Sequence, residues 1–197
     1  MNESFYTKKL AKKDVEEMRN YLMGARFAYE NATNLLSEAE ILLNANKFSR
    51  SKVLATFALE EIGKAFSIMD VFANLETACQ HTLNDLKKEV YNAFTGKAAH
   101  ELKIRKVYNF VYRYHPELLP AVPKFAKLEH KAKLDSLYVG MKNGKFYLPE
   151  AQSQKEANDY LNFVSDLSAF SCSVLKGFEQ IYSKYLYGKG FDLAKNE

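Results

Sequence analysis

The sequence predicts an all-α fold, a helical bundle built on a long antiparallel helix hairpin with one small β-hairpin inserted before the last helix. Apolar residues recur three and four positions apart over long stretches, which is the period of an amphipathic helix. The breaks between these stretches are short and rich in turn-forming residues. The chain has 197 residues, of which 47% are apolar, so it can bury one core without disulfides. We therefore expect a single domain over residues 1–197.

The first helix is indicated by apolar residues spaced three and four apart from Val15 to Leu43. This heptad-like stripe is compatible with packing inside one chain and with pairing between two chains. Residues 44–49 interrupt the pattern with turn and cap residues, and a second helix is predicted from about 50 to 75. Because the connection is short, we expect the two helices to pack as an antiparallel hairpin.

The second helix has apolar residues around most of its circumference, as is typical of the central helix of a bundle. Shorter helices are predicted over 83–94, ending near Gly96, and over 100–111. Three prolines within 116–123 predict a loop, and apolar spacing over 125–132 predicts another short helix.

A small β-hairpin is predicted at about 137–149, where Asn143-Gly144 separates two β-prone runs. The last helix is predicted to begin at Ser153-Gln-Lys-Glu156, which has the pattern of a capping box. Its apolar spacing continues to about residue 185, and glycines at 188 and 190 are expected to end it.

Several functional classes are disfavoured by what the sequence lacks. No run of about 18 apolar residues is present and the N-terminus is polar, so we expect a cytoplasmic protein without membrane contact. Cys79 and Cys172 belong to no paired pattern and are expected to be reduced thiols. There is no glycine-rich phosphate loop, nucleophile elbow or clustered cysteine spacing, so we expect no metal and no cofactor.

Positive charge is concentrated between Lys97 and Lys145, with 11 Lys and Arg against 4 Asp and Glu. Three of the four histidines and several aromatic residues fall in the same segment. Cations interleaved with aromatic side chains are typical of a surface that binds single-stranded nucleic acid, although a solvated basic face over buried aromatics gives the same pattern. The candidate RNA-binding residues are Arg105, Lys106, Arg113, Lys131, Lys133 and Tyr138.

The polar residues of the second helix suggest a site. Glu60 and Lys64 are four positions apart, the spacing of a helical ion pair. Glu61 lies on an apolar stripe, where a carboxylate needs a cation or a hydrogen-bond donor. Gly63 is unfavourable inside a helix and suggests that another backbone packs closely there. A structural ion network and a functional carboxylate both remain open.

His100 and Lys103 are three positions apart and should share one helix face, with Arg105 and Lys106 nearby. A histidine beside cations can act as acid or base next to a phosphate, and it can equally be structural. Glu60, Glu61 and His100 show none of the spacings that support a metal site.

Several of these segments together resemble the AbiV family of phage abortive-infection proteins over about residues 20–185. The string Leu54-Ala-Thr-Phe-Ala-Leu-Glu-Glu-Ile-Gly-Lys-Ala65 carries most of the likeness, followed by His100-x-x-Lys103 and by Leu137-Tyr-Val with Asn143-Gly144. The resemblance implies a HEPN-like helical bundle, a class whose members are usually dimeric and often metal-independent ribonucleases. We therefore expect a homodimer in antiviral defence.

The HEPN nucleases carry an Arg followed by four to six residues and then a His, whereas no Arg lies five to seven residues before any of the four histidines here. The positions that match the family's strings give the catalytic candidates Glu61, Lys64, His100 and Lys103, with residues near Tyr138 closing the site.

Two hypotheses follow from the resemblance. In the first, the protein cuts RNA, with His100 or His130 assisting attack by a 2′-hydroxyl while Lys103 and Arg105 stabilise the phosphate. In the second, a non-enzymatic effector binds a phage-encoded protein and the gene-expression or translation machinery.

Overall fold

The computed structural model describes residues 12–77, 83–95, 99–114, 136–138, 140–147 and 152–186. The elements in chain order are α1 (Lys12–Asn44), α2 (Phe48–Thr77), α3 (Leu83–Thr95), α4 (Ala99–Tyr114), β1 (Gly140–Lys142), β2 (Lys145–Tyr147) and α5 (Gln154–Leu186). The predicted helical bundle is confirmed. The proline loop, the short helix expected at 125–132 and the glycines expected to end the last helix lie outside the described residues.

Helices α1 and α2 form the expected antiparallel hairpin, joined by a tight turn. Asn46 has a φ of 59°, the left-handed conformation that ends many helices. The Lys47 N–H donates to the Leu42 carbonyl at 2.8 Å and the Asn46 N–H donates to the Leu43 carbonyl at 3.0 Å, the two bonds of a Schellman motif. Farther along the hairpin, the hydroxyl of Ser51 donates to the Ala39 carbonyl at 2.7 Å.

Helix α2 is the central element, as its nearly uniform apolar surface predicts, and it contacts α1, α3, α4 and α5. Along the hairpin with α1 both helices bury small residues, including Ala25, Ala32 and Ala58, which let the backbones approach closely. Toward its C-terminal end, Phe72 is fully buried with its ring centroid 5.1 Å from that of Phe178 on α5, edge to face.

Helices α4 and α5 both run parallel to α2. Residues 60 and 66 of α2 contact residues 100 and 110 of α4, and the Phe66 and Phe110 rings stack with centroids 3.9 Å apart. Tyr160 of α5 lies beside Thr56, with 3.4 Å between the two hydroxyl oxygens, while Phe178 contacts the far end of α2. This arrangement sets one face of α4 along the middle of α2.

Strands β1 and β2 pair antiparallel with Lys142 opposite Lys145. Asn143 and Gly144 form the turn with φ values of 52° and 75°, the left-handed conformation that a primed turn requires. At the start of α5, the Ser153 hydroxyl accepts the Glu156 N–H at 3.2 Å and the Glu156 carboxylate accepts the Ser153 N–H at 3.0 Å. The predicted capping box is therefore confirmed.

Candidate functional site

The middle of α2 and the start of α4 meet at a carboxylate and an imidazole. The Nδ1 atom of His100 lies 2.6 Å from Oε2 of Glu60. The Glu60 side chain is 6% exposed and that of His100 is 43% exposed, so a buried acid holds a histidine that reaches the surface. His100 is the second residue of α4, and this position places its ring over the α2 face.

The close approach of α4 to α2 depends on Gly63. A Cβ atom on Gly63 would lie 2.3 Å from the carbonyl oxygen of Lys103 and 2.7 Å from its carbonyl carbon. The expectation that another backbone packs beside this glycine is therefore confirmed. Glu60 and Gly63 are one turn apart on the same face of α2. The close approach at Lys103 and the contact at His100 therefore belong to the same α2–α4 interface.

The acid that pairs with Lys64 is not the one that the sequence predicts. Lys64 Nζ lies 2.5 Å from Oε1 of Glu61, and both side chains are mostly buried. The Phe94 ring of α3 lies 5.4 Å from the same nitrogen, a cation–π contact. Glu60 was expected to pair with Lys64 and Glu61 to lie in the apolar stripe, and the structure reverses these two roles.

The physical reason is the position of α4. It packs along the face formed by Glu60, Gly63, Ser67 and Asp70, which recur at helical spacing on α2. Ser67 is buried on that face and its hydroxyl donates to the Gly63 carbonyl at 2.8 Å. The neighbouring carboxylate on Glu61 therefore turns toward α3 instead.

Two lysines of α4 are held against α2. Lys103 is buried, with 6% of its surface exposed. Lys106 Nζ lies 2.8 Å from Oδ2 of Asp70, so this predicted RNA-binding cation contacts a carboxylate of its own chain. Of the four catalytic candidates, His100 and Lys103 lie where α4 packs against α2, whereas Glu61 and Lys64 pair with each other on the side of α2 that faces α3.

The opposite face of α4 is exposed and carries positive charge. Arg105, Asn109, Tyr112 and Arg113 are spaced four, three and one residues apart, which places them on one side of the helix. Tyr112 is 65% exposed. Two of the predicted RNA-binding residues, Arg105 and Arg113, therefore lie on the same exposed side of α4 as Tyr112, one of the aromatic residues of the basic segment.

Tyr138 does not join this group of residues. It is 61% exposed, and the two residues before it, Ser136 and Leu137, line a cavity with residues 46–50 at the start of α2. Arg50 and Glu61 are separated by about 16 Å along the helix axis. Ser136 and Leu137 thus lie beside the start of α2, and closure of the site by residues near Tyr138 stays a prediction. Lys131 and Lys133 lie outside the described residues.

The Glu60–His100 pair has the arrangement that fixes an imidazole for proton transfer. With Nδ1–H donating to the carboxylate, Nε2 of the neutral ring is the basic nitrogen. A histidine oriented by a carboxylate is a common general base. The sequence did not reveal Glu60 as the partner of His100, because the two residues are 40 positions apart. The available signal was the presence of two adjacent carboxylates, Glu60 and Glu61, on a mostly apolar helix.

Three further observations on the described residues concern metal binding, membrane spans and a cysteine. In 12–77, 83–95, 99–114, 136–138, 140–147 and 152–186, no three His, Cys, Asp or Glu side chains form a group that could hold a metal ion. None of the helices in those ranges is long and apolar enough to cross a membrane. Cys172 is a free, partly buried thiol.

The family model HEPN_AbiV, described as AbiV, matches residues 20–169, about three quarters of the chain. The matched region contains α2 and α4 entire, and so includes Glu60, His100 and the exposed face of α4. No curated protein and no solved structure matches the chain.

Proposed function

The chain belongs to the AbiV family of HEPN-like proteins, whose role is antiviral defence by abortive infection, and we propose that it blocks phage multiplication by cutting RNA. The observation that carries this proposal is the 2.6 Å contact between His100 and Glu60. It supplies a surface-reaching imidazole with a fixed orientation, the group that RNA cleavage without a metal requires.

In the proposed reaction, Nε2 of His100 takes the proton of a ribose 2′-hydroxyl. The 2′-oxygen then attacks the adjacent phosphorus, and the 5′-oxygen of the next nucleotide leaves as a hydroxyl after taking a proton from water. One fragment then ends in a 2′,3′-cyclic phosphate and the other begins with a 5′-hydroxyl. Negative charge grows on the phosphate during the attack, and cations beside it lower the barrier. Lys103 follows His100 by one turn on the same face of α4, and Arg105 lies on the exposed side of that helix; these are the cations proposed to stabilise the phosphate. Lys64 is a weaker candidate, because Glu61 already compensates its charge.

The exposed face of α4 would hold the RNA strand. Arg105 and Arg113 can contact phosphates, and Tyr112 offers a ring on which a base can stack. Lys106 is a weaker candidate, because Asp70 already compensates its charge. HEPN domains commonly dimerise, so we expect a homodimer in the cytoplasm whose activity is triggered by a phage-encoded protein.

The burial of Glu60 in its contact with His100 favours a second candidate function, that of a non-enzymatic binding protein. Glu60 is almost fully buried and joins α2 to α4, and Asp70 and Lys106 join the same two helices farther along. Both pairs would then fix the position of α4, and the protein would act by binding a phage-encoded protein and the translation machinery. This alternative gives His100 a purely structural role.

The two candidates are separated by replacing His100 with asparagine. The Asn side-chain amide can occupy the place of Nδ1 and donate to Glu60, but it cannot exchange a proton near neutral pH. Total RNA from phage-infected cells would be sequenced for new 5′ ends, with wild type, His100→Asn and His130→Ala at matched protein levels. Thermal melting of each purified protein reports folding.

We expect discrete RNA cuts in wild type that disappear in His100→Asn while its melting temperature is kept. Cuts that survive in His100→Asn and vanish in His130→Ala would move the site to His130. Intact RNA in wild-type cells that still resist the phage would overturn the ribonuclease and support the binding effector.

A further inference from the structure

A second site is suggested at the start of α2, away from the Glu60–His100 pair. The turn between α1 and α2, residues 136–137 and Gln152 line an open cavity of about 320 Å³. A cavity of this volume is at the lower end of those that bind small molecules. Its lining residues are Asn46, Lys47, Phe48, Ser49, Arg50, Ser136, Leu137 and Gln152.

The cavity contains the N-terminus of a 30-residue helix. The first hydrogen bond of α2 runs from the Ser51 N–H to the Lys47 carbonyl at 2.9 Å, which makes Lys47 the N-cap residue. A lysine side chain cannot accept hydrogen bonds from the first N–H groups, as Ser or Asp would. The first turn also carries no acidic residue, so the positive end of the helix dipole lacks a carboxylate of its own.

The charge of the cavity wall adds to that of the helix end. Lys47 and Arg50 are both exposed and both line the cavity. Among the described residues that line it, none is acidic. Gln152 also lines it, and its side-chain oxygen accepts a hydrogen bond from Lys52 Nζ at 2.7 Å. The wall therefore favours an anion.

A buried serine among the lining residues independently indicates a polar ligand. Ser136 is 4% exposed, and its Oγ is buried with no hydrogen-bond partner among the described residues. A buried polar group without a partner is costly, and native structures contain few of them. An oxygen of a bound ligand that accepts the Ser136 O–H would remove this cost.

From these observations we propose that the cavity binds the phosphate group of a small phosphate monoester. Phosphate matches a helix N-terminus with flanking Lys and Arg side chains and a serine hydroxyl. Phe48 and Leu137 give the same cavity an apolar wall for the organic part of the ligand. Phe48 and Glu60 are twelve positions apart on α2, about 18 Å along the axis, so this site is distinct from the proposed RNA-cutting site.

The test is isothermal titration of the purified full-length protein at fixed ionic strength with three probes. Inorganic phosphate tests the anion, a nucleoside 5′-monophosphate tests the monoester, and the uncharged nucleoside tests binding without phosphate. The variants are Arg50→Ala and Ser136→Ala. Arg19→Ala is the matched control, because it removes the same charge from α1 at a position outside the cavity lining.

We expect the monophosphate to bind wild type and Arg19→Ala alike, and Arg50→Ala about tenfold more weakly, the usual effect of losing one charge-assisted hydrogen bond. Ser136→Ala should also weaken binding while keeping the melting temperature, because the change leaves no polar atom unpaired. Binding of the nucleoside as strong as that of the monophosphate would overturn the proposal. So would equal affinity in wild type and Arg50→Ala, an absence of binding at millimolar concentration, or binding of inorganic phosphate with exclusion of the monoester.

Discussion

Helix α2 has two unlike packing surfaces, one toward α1 and α5 and one toward α4. Toward α1 and α5 it buries small and aromatic residues such as Ala58 and Phe72. Toward α4 it presents Glu60 and Asp70, which meet His100 and Lys106. The first surface is stabilised by removal of apolar area from water, which needs no exact partner. The second depends on individual contacts, each of which fails if its partner is lost.

Two carboxyl groups of the bundle differ in whether they have a hydrogen-bond partner. A carboxylate kept buried is costly, and the α2–α4 surface holds one that is partnered by a surface-reaching histidine. Glu179 of α5, whose charged neighbours Arg26 and Glu30 are on α1, also has a partly buried carboxyl, but its Oε1 has no hydrogen-bond partner among the described residues. The Glu60 carboxylate therefore has a hydrogen-bond partner that offsets its burial, whereas Oε1 of Glu179 has none among the described residues.

The largest effect that would test this comparison is expected at Gly63. Gly63→Ala adds a Cβ that would lie 2.3 Å from the Lys103 carbonyl oxygen, so the backbone of α4 must move away. We expect the free energy of unfolding to fall by about 2–3 kcal/mol, as in overpacked cores. Urea denaturation followed by circular dichroism measures it.

The matched control is Gly177→Ala in α5, where a Cβ would meet nothing within 4 Å. That change should raise the free energy of unfolding by about 0.5–1 kcal/mol, since alanine is the better helix former. Similar effects of the two substitutions would mean that α4 does not depend on close approach at Gly63.

The next effect compares one substitution at two carboxyls. Glu60→Gln keeps the shape but loses the charge-assisted bond to His100, and we expect a loss of about 1–2 kcal/mol. Glu179→Gln should instead stabilise the protein near pH 7, by at most about 1 kcal/mol because Glu179 is only partly buried. Chemical denaturation at several pH values measures both.

The pH dependence of Glu179→Gln follows from the Glu179 carboxyl. Burial raises the pKa of Glu179, Arg26 lowers it and Glu30 raises it further, and the net shift is upward. A raised carboxyl pKa means that the folded state binds the proton more tightly, so stability is lost as pH rises through the folded pKa. The gain from Glu179→Gln should therefore be complete above the folded pKa of Glu179 and vanish below about pH 4.5. A gain independent of pH would contradict this origin.

Local patterns in the sequence were sufficient for the helices and for their caps. The apolar spacing of α1 and the Ser153-to-Glu156 motif each involve residues within a turn or two, so neighbours along the chain decide them. The choice between Glu60 and Glu61 as the buried acid depended on where α4 packs, 40 residues later. The placement of Ser136 and Leu137 beside the start of α2 was not predictable for the same reason, because no local pattern relates these distant parts of the chain.

The smallest effect concerns a polar contact that is wholly local, the capping box of α5. The Ser153 hydroxyl and backbone N–H both bind the Glu156 carboxylate, and these bonds hold the pKa of Glu156 below its ordinary value. Ser153→Ala removes the side-chain cap, and we expect a loss of about 1 kcal/mol at pH 7. Ser173→Ala, at an exposed position of the same helix, is the control and should change stability by less than about 0.5 kcal/mol.

The sign of the pH effect separates this local contact from the buried ones. A lowered carboxyl pKa contributes stability that is present above the unfolded-state value of about 4.5 and is lost as pH falls through the folded value. The difference between wild type and Ser153→Ala should therefore shrink in acid because wild type loses a stabilising contact. The difference between wild type and Glu179→Gln should also shrink in acid, but there because wild type is relieved of a destabilising charge. The difference for Ser153→Ala should not reach zero, because the Glu156 N–H still donates to the Ser153 hydroxyl when the carboxyl is protonated. A difference that stays constant down to pH 3 would show that the helix N-terminus gains nothing from the Glu156 charge.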